Sequence, residues 1–281
     1  MAQVKKPTPK PKAKNPAVKQ TTVKHQVVHS NAQKIQRVEV ITEYGTIVLK
    51  LYNETPKHRD NFVKLVKEGF YDSLLFHRVI NTFMIQGGDP NSKHSDTSEM
   101  LGSGDVGYKI PAEINPALFH KKGALAAARD NNPEKASSGC QFYIVQGKKY
   151  TIKELEQMIN NINMGRKQKV LYDLYQRDTV QEKINALQSS GDKEITRKYI
   201  ESLQPAADRE FTAKYPKATE VDMDQIEVYQ TLGGTPQLDG DYTVFGEVES
   251  GLNVIDRIAK LPTRDSDNRP LQNVRMKIRL L

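Results

Sequence analysis

The chain has 281 residues but no tryptophan and a single cysteine, Cys140, so an intrachain disulfide is excluded. No apolar run approaches the roughly 20 residues of a membrane-spanning helix, and we predict no transmembrane segment. The first residues lack the apolar stretch of a signal peptide. Met1-Ala2-Gln3 nevertheless resembles the start of a mature protein whose signal was replaced. We expect a periplasmic or other extracytoplasmic location in that case, and the cytoplasm otherwise.

Acidic residues are missing from residues 1–36, which carry eight lysines. The remainder has 42 − 8 = 34 basic and 34 acidic side chains, so the formal charge of +8 belongs to this tail. Its prolines and scarcity of large apolar residues predict a disordered tether. A basic tail can bind nucleic acid or an anionic membrane. This one has no arginine and no aromatic ring to stack on bases, so we favour a solubilising linker and expect no nucleic-acid partner.

Short alternating runs dominate residues 37–149 and 233–281. Gly45 separates two such runs and predicts a hairpin, and Thr55-Pro56 predicts a helix capped by Thr55 that ends at Gly69. Further strands are predicted at 76–80, 83–87, 123–129, 141–146, 243–248 and 273–280, and a late helix at 252–260. This pattern indicates a mainly β fold, an antiparallel barrel closed by two helices.

Residues 150–232 follow a different pattern, with apolar residues at helical spacing. We predict an inserted α-helical lobe of three or four amphipathic stretches, punctuated by Gly165, Gly191 and Pro205. Two roles stay open for it. It is either a structural embellishment packed on the barrel or a lobe whose exposed apolar groove engages unfolded chains near the active site.

The stretch Phe76–Pro90, FHRVINTFMIQGGDP, holds the most informative side chains. With a turn at Asn81-Thr82, alternation places Arg78 with Ile80 and Met84 with Gln86 on shared faces. The product is a guanidinium and an amide beside an apolar wall, with no nucleophile and no set of metal ligands. Such a site can hold and polarise a substrate but is poorly equipped to attack one.

Four motifs then occur in order: FHRV–FMIQGGDP, GALAAAR, CQFYIV and LDGDYTVFGEV. Together they resemble a cyclophilin-type peptidyl-prolyl cis–trans isomerase over about 37–149 and 233–281. The resemblance implies a closed, eight-stranded antiparallel barrel with two capping helices, interrupted by the insertion at 150–232. It also implies an enzyme that accelerates rotation about Xaa-Pro bonds and assists protein folding.

The resemblance also implies roles for particular residues. Arg78, Phe83 and Gln86 correspond to the catalytic group. The positions expected to bind substrate are Met84, Ala128, Arg129, Tyr143, Leu238 and Tyr242. Three positions depart from the usual pattern, since Tyr143 replaces a phenylalanine, Gln237 a tryptophan, and Tyr242 a pocket histidine.

Bond rotation requires no cofactor and no metal, and none is expected. The expected partners are proline-containing peptides and unfolded protein clients, bound by a monomer. The alternative function is a non-catalytic module that binds or scaffolds proline peptides on the same fold. Arg78, Phe83, Met84 and Gln86 favour the enzyme, whereas Gln237 and Tyr242 keep the alternative open.

Overall fold

Antiparallel pairing organises the chain outside the insertion. The computed structural model describes residues 35–96, 98–216 and 222–281, so the predicted tail lies outside it apart from Ile35 and Gln36. The strands are β1 (Arg37–Thr42), β2 (Gly45–Leu51), β3 (Phe76–Ile80), β4 (Met84–Gly87), β5 (Lys109–Ile110), β6 (Ala124–Ala127), β7 (Ser137–Ser138), β8 (Phe142–Val145), β9 (Val244–Ser250) and β10 (Lys277–Leu280).

Eight of these strands form one sheet in the order β10-β1-β2-β9-β6-β8-β4-β3, with antiparallel neighbours. This confirms a mainly β fold with an eight-stranded antiparallel sheet. The sheet is a curled half-barrel, since no ladder within the described ranges joins its edge strands β3 and β10. The predicted strand 273–280 begins only at Lys277, and β5 and β7 form a small second sheet that was not predicted.

The helices are α1 (Pro56–Lys67), α2 (Ile152–Tyr175), α3 (Asp178–Ser189), α4 (Lys193–Glu201), α5 (Gln204–Lys214), α6 (Met223–Thr231) and α7 (Leu252–Ala259). The early helix α1 packs on β9 and β10, and the late helix α7 packs on β2, β3 and β4. Both predicted helices outside the insertion are therefore confirmed. Their apolar faces, with Phe62 and Ile255, join the main core inside the curled sheet.

The predicted capping of α1 by the Thr55 side chain is wrong. Thr55 occupies the N-cap position, but its side chain makes no capping hydrogen bond. Instead, the carboxylate of Glu113 accepts the backbone N–H groups of Lys57 and His58, at 3.1 and 3.0 Å. A residue distant in sequence thus supplies the acceptor that the first helical turn needs.

The insertion is helical, as predicted, but its described residues form five helices, α2 to α6, and not three or four. The difference begins at Gly165, which was expected to interrupt a helix and instead lies within α2. Gly191 does separate α3 from α4, and Pro205 begins α5 as expected. None of the described helices is both long and apolar enough to cross a membrane.

Two apolar clusters belong to the insertion. The first is internal to it and packs α2, α3 and α5 together through Val170, Leu174, Val180, Ile184, Leu203, Ala207 and Phe211. The second joins the insertion to the rest of the fold through Tyr150, Leu155, Ile226 and Tyr229, with Phe119 packed against them. We call α2 to α6 the lobe, the first cluster the lobe core and the second cluster the junction.

Candidate active site

The β3–β4 hairpin brings the two polar residues of the first motif together. Arg78 pairs with Gln86, and Ile80 pairs with Met84, across the two strands. Cross-strand partners share one face of a sheet, which confirms the predicted placement of these side chains. The hairpin turns through Thr82, whose backbone is left-handed at φ 62°. The guanidinium Nη1 of Arg78 donates to Oε1 of Gln86 at 3.1 Å.

A second amide fixes the orientation of Gln86. Its Nε2 donates to Oε1 of Gln141 at 3.1 Å. The Nε2 of Gln141 in turn donates to the carbonyl groups of Gly102 and Gly104, at 3.0 and 2.8 Å. Sequence reasoning did not select Gln141. The available signal was the CQFYIV motif, in which Gln141 stands two positions before Tyr143 and therefore on the same face.

One apolar cluster forms a wall beside Arg78 and Gln86. Met84 and Tyr143 are buried in it, with exposed fractions of 1% and 4%. Partly buried members line its open side, and the predicted ones among them are Phe83, Ala128, Leu238 and Tyr242. The fold thus gathers six predicted residues from four separate chain segments. Ile80 and Tyr52 belong to the same cluster but were not predicted to bind substrate.

Tyr242 and Arg129 form the rim of this wall. The Tyr242 ring meets the Tyr143 ring edge to face, with centroids 5.9 Å apart and an interplanar angle of 84°. The Arg129 guanidinium lies over the Tyr242 ring at 4.8 Å, and its Nε donates to the carbonyl of Asp241 at 2.8 Å. Arg129 is therefore tied to the segment that carries Leu238 and Tyr242. Gln237 is exposed.

The hydroxyl of Tyr143 points to a histidine that sequence reasoning missed. His120 Nε2 lies 2.9 Å from this hydroxyl, and His120 Nδ1 lies 2.8 Å from Oδ1 of Asp239. The sequence motifs gave His120 no role in the pocket. Its contact with a residue 23 positions later follows from sheet pairing, which no local pattern reveals. Burial raises the pKa of Tyr143 well above its usual value, so the phenol stays neutral.

Arg78 keeps its positive charge beside the apolar wall. Burial lowers the pKa of its guanidinium, the nearby Tyr242 phenol opposes that shift, and arginine remains protonated. The thiol of Cys140 is a poor nucleophile, because burial raises its pKa to about 11. Across the described ranges, no group of three or more His, Cys, Asp or Glu side chains could hold a metal ion. The arrangement offers a fixed cation and two amides next to an apolar pocket.

A family model for the cyclophilin type peptidyl-prolyl cis-trans isomerase/CLD matches residues 37–204 and 178–279. The chain belongs to this family. The prediction of a cyclophilin-type isomerase is therefore confirmed, and peptidyl-prolyl cis–trans isomerisation is the activity of this enzyme. The roles of individual residues stay predictions that rest on the geometry described above.

Curated relatives of this cyclophilin include bacterial and fungal proteins. A putative peptidyl-prolyl cis-trans isomerase of Staphylococcus aureus (strain COL) is 30% identical over 240 residues, covering 85% of this chain and 87% of the relative. A peptidyl-prolyl cis-trans isomerase-like 1 of Neurospora crassa is 27% identical, covering 85% and 90%. A putative bifunctional phosphatase/peptidyl-prolyl cis-trans isomerase of Streptococcus pyogenes is 40% identical over 123 residues, but the match spans only 24% of that protein and 43% of this chain.

Among solved structures, a cyclophilin type isomerase of Cryptosporidium parvum aligns with a TM-score of 0.52 and 20% identity. The alignment covers 88% of this chain and 98% of the other. This likeness supports the cyclophilin fold.

Proposed function

We propose that this cyclophilin accelerates Xaa-Pro rotation by donating a hydrogen bond from Arg78 to the prolyl nitrogen while the proline ring rests against Met84 and Tyr143. The observation that carries the proposal is the Arg78–Gln86 pair beside the apolar wall. It supplies a fixed donor next to a surface that suits a proline ring. No reactive group is needed, because the reaction only rotates a bond.

The barrier explains why a donor is sufficient. Resonance between the prolyl nitrogen and the carbonyl gives the C–N bond partial double-bond character, with a barrier of about 18–20 kcal/mol. Twisting the bond makes the nitrogen pyramidal and returns its lone pair. A donor aimed at that lone pair binds the twisted amide better than the planar one. Differential binding of this kind lowers the barrier, whereas equal binding of both states would not.

Arg78 suits this role because its charge and position are both fixed. Its guanidinium is half-buried, which strengthens its hydrogen bonds relative to those of an exposed group. The bond to Gln86 leaves other N–H groups of the guanidinium for a substrate. Gln86, itself held by Gln141, would grip the peptide backbone near the proline.

The pocket walls would hold one side of the bond while the other side turns. Met84 and Tyr143 form the floor, with Phe83 and Leu238 on the sides. Ala128 packs against the same cluster and extends the wall along which the substrate would lie. An apolar pocket also favours the twisted amide, which is less polar than the planar amide.

A protease-coupled assay on an Ala-Pro tetrapeptide tests the proposal, with Arg78→Ala beside the wild type. We expect kcat/KM to fall about 100-fold in the variant, the loss typical of one transition-state donor. Circular dichroism spectra that superimpose would show that the fold is retained. A wild-type rate no higher than that of Arg78→Ala would contradict the proposal and favour the alternative, a module that binds proline peptides without turnover.

We also propose that the lobe engages unfolded clients and presents their prolines to the pocket. A groove of about 660 Å³ runs along the lobe, lined by Leu171, Tyr172 and Tyr175 of α2 and by Ile200 near the end of α4. Tyr172 and Ile200 leave 61% and 37% of their surface exposed. The same helix α2 reaches the pocket rim, where the Arg166 guanidinium approaches Gly240. An unfolded segment in the groove would therefore lie one or two helical turns from the rim.

Tyr172→Asp and Ile200→Asp together test the role of the lobe. We expect an unchanged rate on the tetrapeptide, which is too short to reach the groove, and slower catalysis of a proline-limited refolding reaction. Ile195→Asp is the matched control, since Ile195 is 50% exposed on α4 but does not line the groove. If the double variant catalyses refolding as well as Ile195→Asp does, the lobe is a structural embellishment.

The edges of the curled sheet are joined by backbone hydrogen bonds. The chain from Ser73 to the first residue of β3 bonds to the segment before β10. The bonds are Ser73 N–H to Met276 O (3.0 Å), Phe76 N–H to Val274 O (2.9 Å) and Met276 N–H to Leu74 O (2.8 Å). We propose that these bonds close the half-barrel, with slow hydrogen exchange at the three amides as the test.

We further propose that the enzyme acts as a monomer, because one chain supplies every predicted site residue. Sedimentation would check this.

A further inference from the structure

Tyr229 of helix α6 reaches the proline pocket through two intermediate side chains. Its hydroxyl donates to Oδ2 of Asp239 at 2.5 Å. Oδ1 of Asp239 lies 2.8 Å from Nδ1 of His120. Nε2 of His120 lies 2.9 Å from the hydroxyl of Tyr143. We call these four side chains the relay, since they run without a break from the lobe to the pocket floor.

The chemistry of the groups fixes the direction of the two bonds to Asp239. A carboxylate only accepts hydrogen bonds, so Nδ1 of His120 carries the proton that faces Asp239. The other nitrogen, Nε2, shares a hydrogen bond with the Tyr143 hydroxyl, which is thereby held toward His120 and away from the pocket. The pocket is left with the apolar ring of Tyr143.

Burial makes the loss of any of these hydrogen bonds costly. Tyr229, His120 and Tyr143 have exposed fractions of 3%, 1% and 4%. A buried hydroxyl or imidazole that loses its partner is left without water to replace it. Each relay member is thus confined to the orientation that keeps its bond.

The lobe holds Tyr229 in place by packing and by its backbone. The ring belongs to the junction, where it meets the Phe119 ring edge to face at 5.4 Å. The Tyr229 carbonyl accepts the N–H of Tyr150 at 3.2 Å. A Cβ at Gly234 would lie only 2.5 Å from the Tyr229 ring, so the absence of a side chain there admits the ring. Tyr229 is therefore a firm anchor for Asp239.

We propose that Tyr229 is a positioning residue through which the lobe fixes the Tyr143 ring, by way of Asp239 and His120, and so tunes the affinity of the pocket for proline. This inference rests on the proposed function, because Tyr143 matters only if its ring contacts the proline.

Tyr229→Phe removes one hydroxyl and keeps the packing. We expect KM for the Ala-Pro tetrapeptide to rise roughly threefold to tenfold, the range for one hydrogen bond, with kcat changed less than about twofold. The reason is that the Tyr143 ring contacts the proline equally in the ground and transition states, and loss of such uniform binding raises KM alone. Tyr150→Phe is the matched control in the junction and should leave KM unchanged. A fall in kcat with KM unchanged would contradict the proposal.

A double-mutant cycle separates the relay from a general effect on the fold. In a Tyr143→Phe background the relay has no hydroxyl to hold, so Tyr229→Phe should then change KM less than about twofold. An equal rise of KM in both backgrounds would overturn the proposal. Titration of the same tetrapeptide gives Kd for each variant, so the relay can be tested even if the turnover assay contradicts the proposed function.

Discussion

Glu113 provides the hydrogen-bond acceptor at the start of α1 that the Thr55 side chain was expected to provide. It accepts two backbone N–H groups at the start of α1, and its Oε2 also lies 2.8 Å from Nδ1 of His58. Nε2 of His58 lies 3.0 Å from the hydroxyl of buried Ser137. The carboxylate thus satisfies the first turn of the helix and fixes an imidazole that links α1 to β7.

The pKa values of this pair predict acid sensitivity. Burial lowers the pKa of His58 and outweighs the opposite effect of Glu113. Burial opposes ionisation of Glu113, but hydrogen bonds from His58 and Lys57 outweigh it and lower the pKa of the carboxyl. Both groups bind protons more readily in the unfolded chain. Their stabilising contribution is fully present above the unfolded pKa values, about 6.5 and 4.3, and is lost as the pH falls from these values through the lower pKa values of the folded state.

Glu113→Gln should therefore lower the free energy of unfolding at pH 7 by about 1–3 kcal/mol, the range for a partly buried acceptor of charge-assisted bonds. The variant should also lose stability less steeply than the wild type between about pH 5 and pH 3, because one titrating group is gone. Urea denaturation at several pH values measures both effects.

Asp173→Asn is the control for this change, because Asp173 forms an exposed pair with Lys169 on α2 at 3.1 Å. Such a pair contributes less than about 0.5 kcal/mol. Equal midpoints for Glu113→Gln and Asp173→Asn would show that the carboxylate of Glu113 is not needed to begin α1.

Two glycines, one in a lobe helix and one against the junction, differ in the space around them. Gly165 lies in the middle of α2, where an added Cβ would meet nothing within 4 Å. At Gly234 the same atom would lie 2.3 Å from the carbonyl oxygen of His120 and 2.5 Å from the Tyr229 ring. The first glycine is a local weakness of a helix, and the second is required for close packing.

Alanine at each position tests this contrast. Gly165→Ala should raise the free energy of unfolding by up to about 1 kcal/mol, because alanine is the better helix former. Gly234→Ala should lower it by about 1–3 kcal/mol, because the junction must move apart. Thermal or urea unfolding gives both signs. The contrast is wrong if both substitutions shift the midpoint in the same direction.

The same elements show why sequence patterns reached only part of the structure. Strand and helix positions were predictable outside the insertion, since alternation and helical spacing are local signals. Gly165 was misread because packing holds α2 on both sides of it, with Leu155 in the junction and Leu174 in the lobe core. Tertiary contacts of this kind outweigh a penalty of about 1 kcal/mol for one glycine.

The site also has a part that local sequence patterns predict and a part that depends on tertiary contacts. The motif that holds Arg78 and Gln86 is a single hairpin, and its faces follow from alternation alone. Gln141, His120 and Tyr229 enter through contacts that span 55, 23 and 10 residues, to Gln86, Tyr143 and Asp239. Such contacts depend on strand pairing and on the path of the lobe. Composition and periodicity do not encode them in any local window.

The whole molecule combines separate apolar clusters with one predicted site. The lobe core shares no member with the cluster that lines the pocket. The lobe meets the pocket instead through the junction, through the relay and at the rim, where Arg166 approaches Gly240. Damage to the lobe core should therefore weaken the lobe without changing the chemistry.

Phe211→Ala tests this separation. Phe211 is 5% exposed in the lobe core, and loss of such a ring costs about 3–5 kcal/mol. We expect faster hydrogen exchange in α2, α3 and α5, with kcat/KM for the Ala-Pro tetrapeptide within about twofold of the wild type. A large fall in kcat/KM would show that the lobe core and the pocket are one cooperative unit.

The role of Arg78 as donor to the twisted amide is tested most directly by the rate of cis–trans exchange of a bound Ala-Pro peptide. This rate is measured by exchange NMR spectroscopy at saturating enzyme. This measurement separates rotation from binding, which the coupled assay does not. With Arg78→Ala we predict exchange about 100-fold slower than in the wild type, while Kd changes much less, because the guanidinium acts on the twisted amide. Equal exchange rates in wild type and Arg78→Ala, or a loss confined to Kd, would contradict the account.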